Sequence, residues 1–302
     1  AYTIPADATA DIKVDIKDAE FTYTYATGAP KLYVNYRLSD NLTINLYAPT
    51  DLPEGISNFA AYLPGIEAAR TFTKGCTIGG AKYGYTSAWP GANAADGNKS
   101  WNINFTYDGQ NFTYEVVVNV VDYAKKVANI YKDDAEKMEQ VVALLQYVEA
   151  ANKISKQTPE HGLSELLAEL KTTVTLRAVP ETTGNITALA DYIDGVSVFA
   201  AYNTGLKFNL KDTTKTYKVF AGTTKVETEQ SGSTLTFKNQ SSMLWTATDL
   251  TIQVLDAEGA TVAEGTYSIA AYYTEMASSL TADELAILQA AYVLGIIGDT
   301  NK

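Results

Sequence analysis

The stretch Leu144-Leu145-Gln146-Tyr147-Val148-Glu149-Ala150-Ala151 lies where β-type patterns have given way to helical ones. It ends a segment, residues 101–155, that reads as strands, a tight turn, a β-rich run and then a helical stretch opened by Tyr123. Residues 245–299 have the same order, with Tyr272 and then a helix carrying Leu288-Gln289-Ala290-Ala291-Tyr292-Val293-Leu294-Gly295. The sequence therefore indicates one β-then-α pattern written twice.

The turns keep the same place in both copies. Tyr123 follows Gly109 of an Asp-Gly turn by 14 residues, and Tyr272 follows Gly259 of a Glu-Gly turn by 13. Such spacing predicts a modular protein with two similar halves. It also weighs against an enzyme, because catalytic residues are rarely duplicated together with their scaffold.

Charge and composition exclude several classes of partner. The chain has 302 residues and a formal net charge of −12, and its sequence contains no run of Lys or Arg. Nucleic acids and anionic membranes both require a basic face, so neither is an expected partner. The apolar stretches are shorter than the roughly 20 residues that a membrane-spanning helix needs, which predicts no membrane span.

Cysteine use indicates the compartment. A single cysteine, Cys76, excludes an internal disulfide, and the chain has one His, three Met and 21 Tyr. This composition favours a secreted bacterial protein that avoids free thiols, and we expect an extracellular or cell-surface location. The sequence starts at Ala1 without Met, which suggests a removed leader or a piece of a longer protein.

The order of patterns predicts an α+β fold. Period-2 alternation at Ile12, Val14 and Ile16, and again at Leu42, Ile44 and Leu46, indicates strands with one buried face. Residues 49–100 are rich in Pro and Gly and are predicted to be a loop insertion. With a break near residues 180–184, we expect two related domains, 1–182 and 183–302. Each is an antiparallel β-sandwich or sheet, immunoglobulin-like in type, followed by a C-terminal helical hairpin.

Helix starts are marked at both hairpins. Asp133 and Asp134 stand where N-cap and first-turn acids belong, and Thr281-Ala-Asp-Glu284 reads as a capping box. Between the hairpins, Val174, Leu176 and Ala178 alternate like a short strand, and Ser164 is expected to cap a short helix, 165–171.

These motifs resemble a recurrent module of uncharacterised secreted and cell-surface proteins from Gram-positive anaerobic bacteria. In that module a β unit runs into a Tyr-headed helix and then a helix of the type L-L-x-Y-x-x-A-A. Here Asn119–Ala124 and 144–151 match the first copy, and Ser268–Tyr272 and Ala290–Gly295 match the second. The resemblance implies an extracellular, accessory role and supplies no catalytic residues.

Little in the chain predicts catalysis. His161 is the only possible imidazole base and is read as a solvated loop residue, while Cys76 has no neighbouring base and is read as a buried small residue. One His and one Cys cannot form a four-ligand zinc site, so no metal or other cofactor is expected. Paired carboxylates for glycoside hydrolysis remain open, since the chain has 35 acids.

Aromatic residues suggest where a ligand could bind. Tyr83, Tyr85, Trp89 and Trp101 cluster in the 75–101 region, and Trp and Tyr faces can stack against sugar rings. The alternative is that these rings pack onto their own domain; Trp245 is expected in the core. We therefore expect a non-catalytic structural or adhesive module. The alternatives are a carbohydrate-binding module that uses the aromatic loop, and an acid-residue glycoside hydrolase; the possible partners are a glycan or a surface protein.

Overall fold

A computed structural model of the chain describes residues 30–38, 42–89, 94, 98–158, 160–200, 204–237 and 249–300. The predicted strand at 12–16 and the predicted core residue Trp245 lie outside these ranges. Within them the protein has five α-helices and four sheets whose paired strands are all antiparallel. The predicted α+β class is confirmed, and the sheets fit a sandwich-like arrangement.

The first seven strands form two sheets. One has the order β1-β2-β5-β4 and the other has the order β3-β6-β7. A two-residue turn at Asp108 and Gly109, both with positive φ, joins β6 to β7, which confirms the Asp-Gly turn. The strands are β1 (Tyr33–Leu38), β2 (Leu42–Pro49), β3 (Ile56–Tyr62), β4 (Lys74–Ile78), β5 (Ala81–Ala88), β6 (Lys99–Tyr107) and β7 (Gln110–Val118).

The range 49–100 differs from the predicted loop insertion. It contains β3, β4 and β5, and the isolated bridge between Ala61 and Arg70 adds a further backbone pairing. These strands are short and are separated by Pro and Gly turns, so the turn residues dominate the local pattern. Their pairing partners lie far along the chain, and this pairing specifies the strands more than their own sequence does.

Three helices follow β7: α1 (Val120–Ile130), α2 (Ala135–Ile154) and α3 (Leu163–Leu170). Asp134 caps α2 by accepting from the Lys137 backbone N–H, as the acidic pair predicted. Helix α2 is buried along most of its length, which makes it a central element. Helix α3 begins earlier than expected: Gly162 is its N-cap, and the Ser164 hydroxyl donates instead to Glu149.

The remaining strands form two four-stranded sheets, with orders β12-β13-β9-β8 and β11-β10-β14-β15. A short 3₁₀ helix, Ile186–Leu189, precedes them. The strands are β8 (Ile193–Ala200), β9 (Thr204–Leu210), β10 (Thr216–Ala221), β11 (Thr224–Val226), β12 (Thr228–Ser231), β13 (Thr234–Phe237), β14 (Leu250–Leu255) and β15 (Thr261–Tyr267).

Two helices end the chain: α4 (Ile269–Met276) and α5 (Ala282–Thr300). The capping box at the start of α5 is confirmed, because Glu284 accepts from the Thr281 N–H while Thr281 Oγ1 accepts from the Glu284 N–H. Helix α5 packs along α2. Gln146 Nε2 on α2 donates to Ala286 O at 2.9 Å and to Gln289 Oε1 at 3.3 Å, both on α5.

A linking segment, residues 171–185, runs across the helices without strand structure, so the strand suggested by Val174, Leu176 and Ala178 is not formed. Its polar groups bond helices instead of a sheet. Arg177 O accepts from Gln289 Nε2 at 3.2 Å, and the Gly184 N–H donates to Glu275 Oε1 at 3.3 Å.

Candidate functional site

The β1-β2-β5-β4 sheet brings four tyrosines to one face, named here the tyrosine face: Tyr33, Tyr47, Tyr83 and Tyr85. Tyr33 pairs with Tyr47 across β1 and β2, and Tyr47 pairs with Tyr85 across β2 and β5. Because side chains alternate along a strand, directly paired residues share a face. Alternation along β5 then places Tyr83 on the same face as Tyr85, and Lys74 of β4 joins them through its pairing with Tyr85.

The rings of the tyrosine face form two contacting pairs. Tyr33 and Tyr83 meet edge to face with centroids 5.3 Å apart, and Tyr47 and Tyr85 lie 5.2 Å apart with an interplanar angle of 35°. Lys31 Nζ lies 5.0 Å from the Tyr33 ring centroid, and Lys74 Nζ lies 6.0 Å from that of Tyr85. Ammonium groups at this range are attracted to the negative face of an aromatic ring.

A row of polar side chains lies beside the tyrosines. Asn35, Asn45 and Ser87 occupy matching positions on β1, β2 and β5. Asn45 Oδ1 accepts from Ser87 Oγ at 2.5 Å, and Asn45 Nδ2 donates to the Tyr47 hydroxyl at 3.2 Å. The Tyr47 hydroxyl in turn donates to Asn35 Oδ1 at 3.2 Å. This network fixes the ring of Tyr47 between amide groups.

The opposite face of the same sheet is core. Leu42, Ile44 and Leu46 of β2 are fully buried, as their alternation predicted. The face that carries Asn45 and the tyrosines points away from this core and is called the outer face, although Asn45 is 2% exposed and Thr43 9%. Its rings are only partly covered at Tyr33, Tyr47 and Tyr85, whereas Tyr83 is buried at 7% exposure.

Ionisation of the tyrosines follows their surroundings. Hydrogen bonding to Lys31, together with its charge, holds the pKa of Tyr33 below its ordinary value despite desolvation. Burial raises the pKa of Tyr47 and of Tyr83. The phenols of Tyr47 and Tyr83 are therefore neutral at physiological pH and act as hydroxyl donors and acceptors.

The structure separates the four aromatic residues that the sequence placed in one loop. Tyr83 and Tyr85 lie on the tyrosine face, but Trp101 of β6 is fully buried. Trp89 has a positive φ of 49° and meets Trp101 edge to face with centroids 4.6 Å apart. Trp101 therefore has no surface to offer a ligand, and the half-buried Trp89 packs against the core.

Sequence reasoning missed Tyr33, Tyr47 and the amides beside them. The alternation of β1 and β2 was visible, and tyrosines at both Tyr33 and Tyr47 were on its polar side. Which strands adjoin β5 was not visible, because β2 pairs with β5 across more than thirty intervening residues. The available signal was the number of tyrosines on the outward side of adjacent strands.

A second polar location lies at the start of α2. A cleft of about 520 Å³ is lined by residues of the α1–α2 turn, of α2 and of the linking segment. At its side, Arg177 Nη2 donates to Glu139 Oε2 at 2.6 Å, and the Arg177 N–H donates to Glu139 Oε1 at 2.7 Å. Burial alone would raise the pKa of Glu139, but the hydrogen bonds and charge of Arg177 hold it below its ordinary value. The pair fastens the linking segment to α2.

A third polar location is the N-terminus of α1. Glu160 accepts from the backbone N–H groups of Val120 at 3.2 Å and Val121 at 3.3 Å. Burial raises the pKa of Glu160 to about 7, although these hydrogen bonds favour its charged form. The carboxylate occupies donors that would otherwise lack an intrahelical partner, which is a structural capping role.

Other predicted chemistry finds no support in the geometry. His161 is exposed, and Cys76 is partly exposed on β4 where a buried residue was expected. Among the described residues, no three His, Cys, Asp or Glu side chains cluster as a metal site requires. None of the helices in the described ranges is long and apolar enough to cross a membrane.

Comparison with known proteins adds no family. No protein-family model matches the sequence, and no curated protein matches it.

Proposed function

We propose that this chain is a non-catalytic structural or adhesive module of a bacterial surface or secreted protein, and that it acts outside the cell. We further propose that it consists of two copies of one β-plus-helices unit, spanning 1–182 and 183–302. Each copy ends in a helical hairpin, α1 with α2 and α4 with α5.

Matching strand orders support the two-copy proposal. The order β1-β2-β5-β4 corresponds strand for strand to β8-β9-β13-β12, and β3-β6-β7 corresponds to β10-β14-β15. The strand β11, which lies beside β10, has its counterpart in the isolated bridge of Arg70 with Ala61 on β3. The chance of two unrelated domains sharing every one of these neighbours is small.

Helix starts also correspond. Asn119 caps α1 by accepting from the N–H three residues on, and Ser268 caps α4 in the same way. The N–H groups of Tyr123 and Tyr272 donate to the carbonyls of these two caps. The tyrosines that head both helices therefore have the same backbone environment.

The contact between α2 and α5 is the observation that carries the proposal. Gln146 of α2 and Gln289 of α5 each follow a leucine, and their side chains hydrogen-bond to each other at 3.3 Å. The second helices of the two hairpins therefore pack directly against each other. A shared, buried junction of this kind suits a module that bears load or presents a surface.

The carboxylates with shifted pKa values also favour a structural role over hydrolysis. Glu139 is paired with Arg177, Glu160 with the N-terminus of α1, and Glu284 with Thr281. A glycoside hydrolase needs two carboxyl groups that face a shared substrate cleft. These three carboxylates instead bond backbone or side-chain donors of their own chain.

The test measures both the binding of the protein to insoluble polysaccharides and their hydrolysis. The purified chain is incubated with insoluble cell-wall, mucin and plant polysaccharides, and both bound protein and released reducing ends are measured. We expect retention on at least one surface without release of reducing ends. Release that disappears in a Glu160→Gln variant would overturn the proposal in favour of the hydrolase, and absence of retention on every surface would remove the adhesive role.

A further inference from the structure

We propose that the tyrosine face binds an acidic polysaccharide, one whose sugar rings carry carboxylate groups. This inference rests on the adhesive role proposed above and assigns it a site and a ligand class. Its four components are ring surface, hydrogen-bonding groups, local charge and an unfilled polar group.

The ring surface runs across the strands. Tyr33, Tyr47 and Tyr85 stand opposite one another on β1, β2 and β5, and Lys74 continues the row on β4. With strands about 4.8 Å apart, such a row extends roughly 14 Å, the length of a short oligosaccharide. The C–H faces of pyranose rings are weakly positive and pack against the negative faces of aromatic rings.

Hydrogen-bonding groups adjoin the rings along their whole row. The amides of Asn35 and Asn45 and the hydroxyl of the exposed Ser87 lie one pleat away from the tyrosines. Sugar hydroxyls act as both donors and acceptors, and amide groups offer both functions in one side chain. Asn45 is 2% exposed and already bonds Ser87 and Tyr47, so the groups that face a ligand are the half-buried amide of Asn35 and the hydroxyl of Ser87.

Local charge selects an anionic ligand. The four strands of this sheet contain Arg37, Lys74 and Lys82 but no Asp or Glu, although the whole chain has a net charge of −12. Arg37 and Lys74 share the outer face with the tyrosines, whereas Lys82 lies on the opposite face by alternation. A cationic patch on an acidic protein attracts carboxylates specifically to that patch.

Thr43 is a polar residue of this face whose hydroxyl is unsatisfied. Thr43 lies two residues before Asn45 on the same face, is 9% exposed, and its Oγ1 has no hydrogen-bond partner. A buried hydroxyl without a partner costs free energy unless a ligand or water completes it. Acidic proteins are the competing occupant, but they would not need a flat row of tyrosines bordered by amides.

Two charge reversals on one strand pair form the central test. Lys74→Glu and Lys82→Glu change the net charge equally, and both lysines are exposed, but only Lys74 is on the tyrosine face. Binding of the full chain to polygalacturonate is measured by isothermal titration at low and at moderate salt. We expect Lys74→Glu to weaken binding at least tenfold and Lys82→Glu to change it less than about twofold.

A second pair of variants tests the rings. Tyr85→Ala should weaken polygalacturonate binding about tenfold, whereas Tyr62→Ala on β3, outside this sheet, should leave it unchanged. Circular dichroism melts of each variant establish that it is folded. Equal weakening by both members of either pair would overturn the proposed site.

The probes also separate the ligand classes. Neutral dextran, which lacks carboxylates, and poly-glutamate, which lacks sugar rings, should each bind at least tenfold more weakly than polygalacturonate. Tight poly-glutamate binding would replace the polysaccharide with an acidic protein as occupant. Absence of polygalacturonate binding would refute the site alone, because retention on other surfaces without turnover would still support the adhesive role.

Discussion

The salt bridge between Glu139 and Arg177 joins two distant parts of the chain through single side chains. Replacing Arg177 by Met would leave a carboxylate that is 8% exposed without its cation. We expect a loss of about 2 kcal/mol in unfolding free energy by urea titration. This is below the range for fully buried pairs, because the Arg177 side chain is 41% exposed.

A matched variant separates charge from geometry at this pair. Arg177→Lys keeps the positive charge but loses the fork that bonds both carboxylate oxygens, so its stability should fall between those of wild type and Arg177→Met. Equal stability of all three proteins would show that the pair contributes nothing to folding.

Glu160 should make stability depend on pH in an unusual direction. Its folded pKa of about 7 lies above the ordinary value of 4.5, so the folded chain holds a proton that the unfolded chain releases between these values. Stability should therefore fall as pH rises through this window, by the linkage between proton binding and folding. Glu160→Gln should flatten the dependence of melting temperature on pH there.

The other shifted carboxylates do not obscure this effect. Glu139, Asp212 and Glu284 have lowered pKa values, so the stability they contribute is lost only as pH falls below the ordinary carboxylate range. A melting temperature that rises between about pH 5 and about pH 7, or an unchanged slope in Glu160→Gln, would contradict the role assigned to Glu160.

At the scale of elements, docking of the chain before β8 depends on a glycine in β15. A Cβ at Gly265 would lie 2.5 Å from Asn185 O and 2.9 Å from Leu189 Cγ. Gly265→Ala should therefore destabilise the protein by about 1–3 kcal/mol in urea titration, since backbone would have to move. It should also increase proteolysis within residues 171–185.

The control is a glycine in β8 with room beside it. A Cβ at Gly195 meets only Asn209 Nδ2, at 3.8 Å. Gly195→Ala should leave stability unchanged or slightly higher, because alanine loses less backbone entropy than glycine on folding. Equal destabilisation by both substitutions would show that the close contact with Asn185 does not cause the loss of stability.

The sequence predicted correctly those turns and helix caps that depend on a few neighbouring residues. The capping box at Thr281 and the Asp108-Gly109 turn depend on a few neighbouring residues, and both are formed as expected. Strands β3, β4 and β5 were hidden among turn residues, because their stability comes from distant partners. The tyrosine face depends on the register of three strands at once. The position of Trp89 depends on its positive φ, which the sequence around it does not predict.

At the scale of the molecule, we propose two like units that meet through the second helix of each hairpin, α2 and α5. Strand order, helix caps and the contact between Gln146 and Gln289 all agree with this arrangement. Periodicity and spacing suggested the repetition. The packing of α2 against α5 could not be predicted from the sequence, because both helices are apolar around most of their surface. Neither helix has a single apolar face that would indicate its packing partner.

The most direct test is a double-mutant cycle at this junction, using Gln146→Ala, Gln289→Ala and the combined variant in urea unfolding. We predict a coupling energy of about 0.5–1.5 kcal/mol between the two glutamines. A control cycle pairs Gln146 with Gln253, which bonds Glu264 on β15 and should be additive. Additivity within about 0.5 kcal/mol for Gln146 and Gln289 themselves would contradict a junction in which these two side chains join α2 to α5.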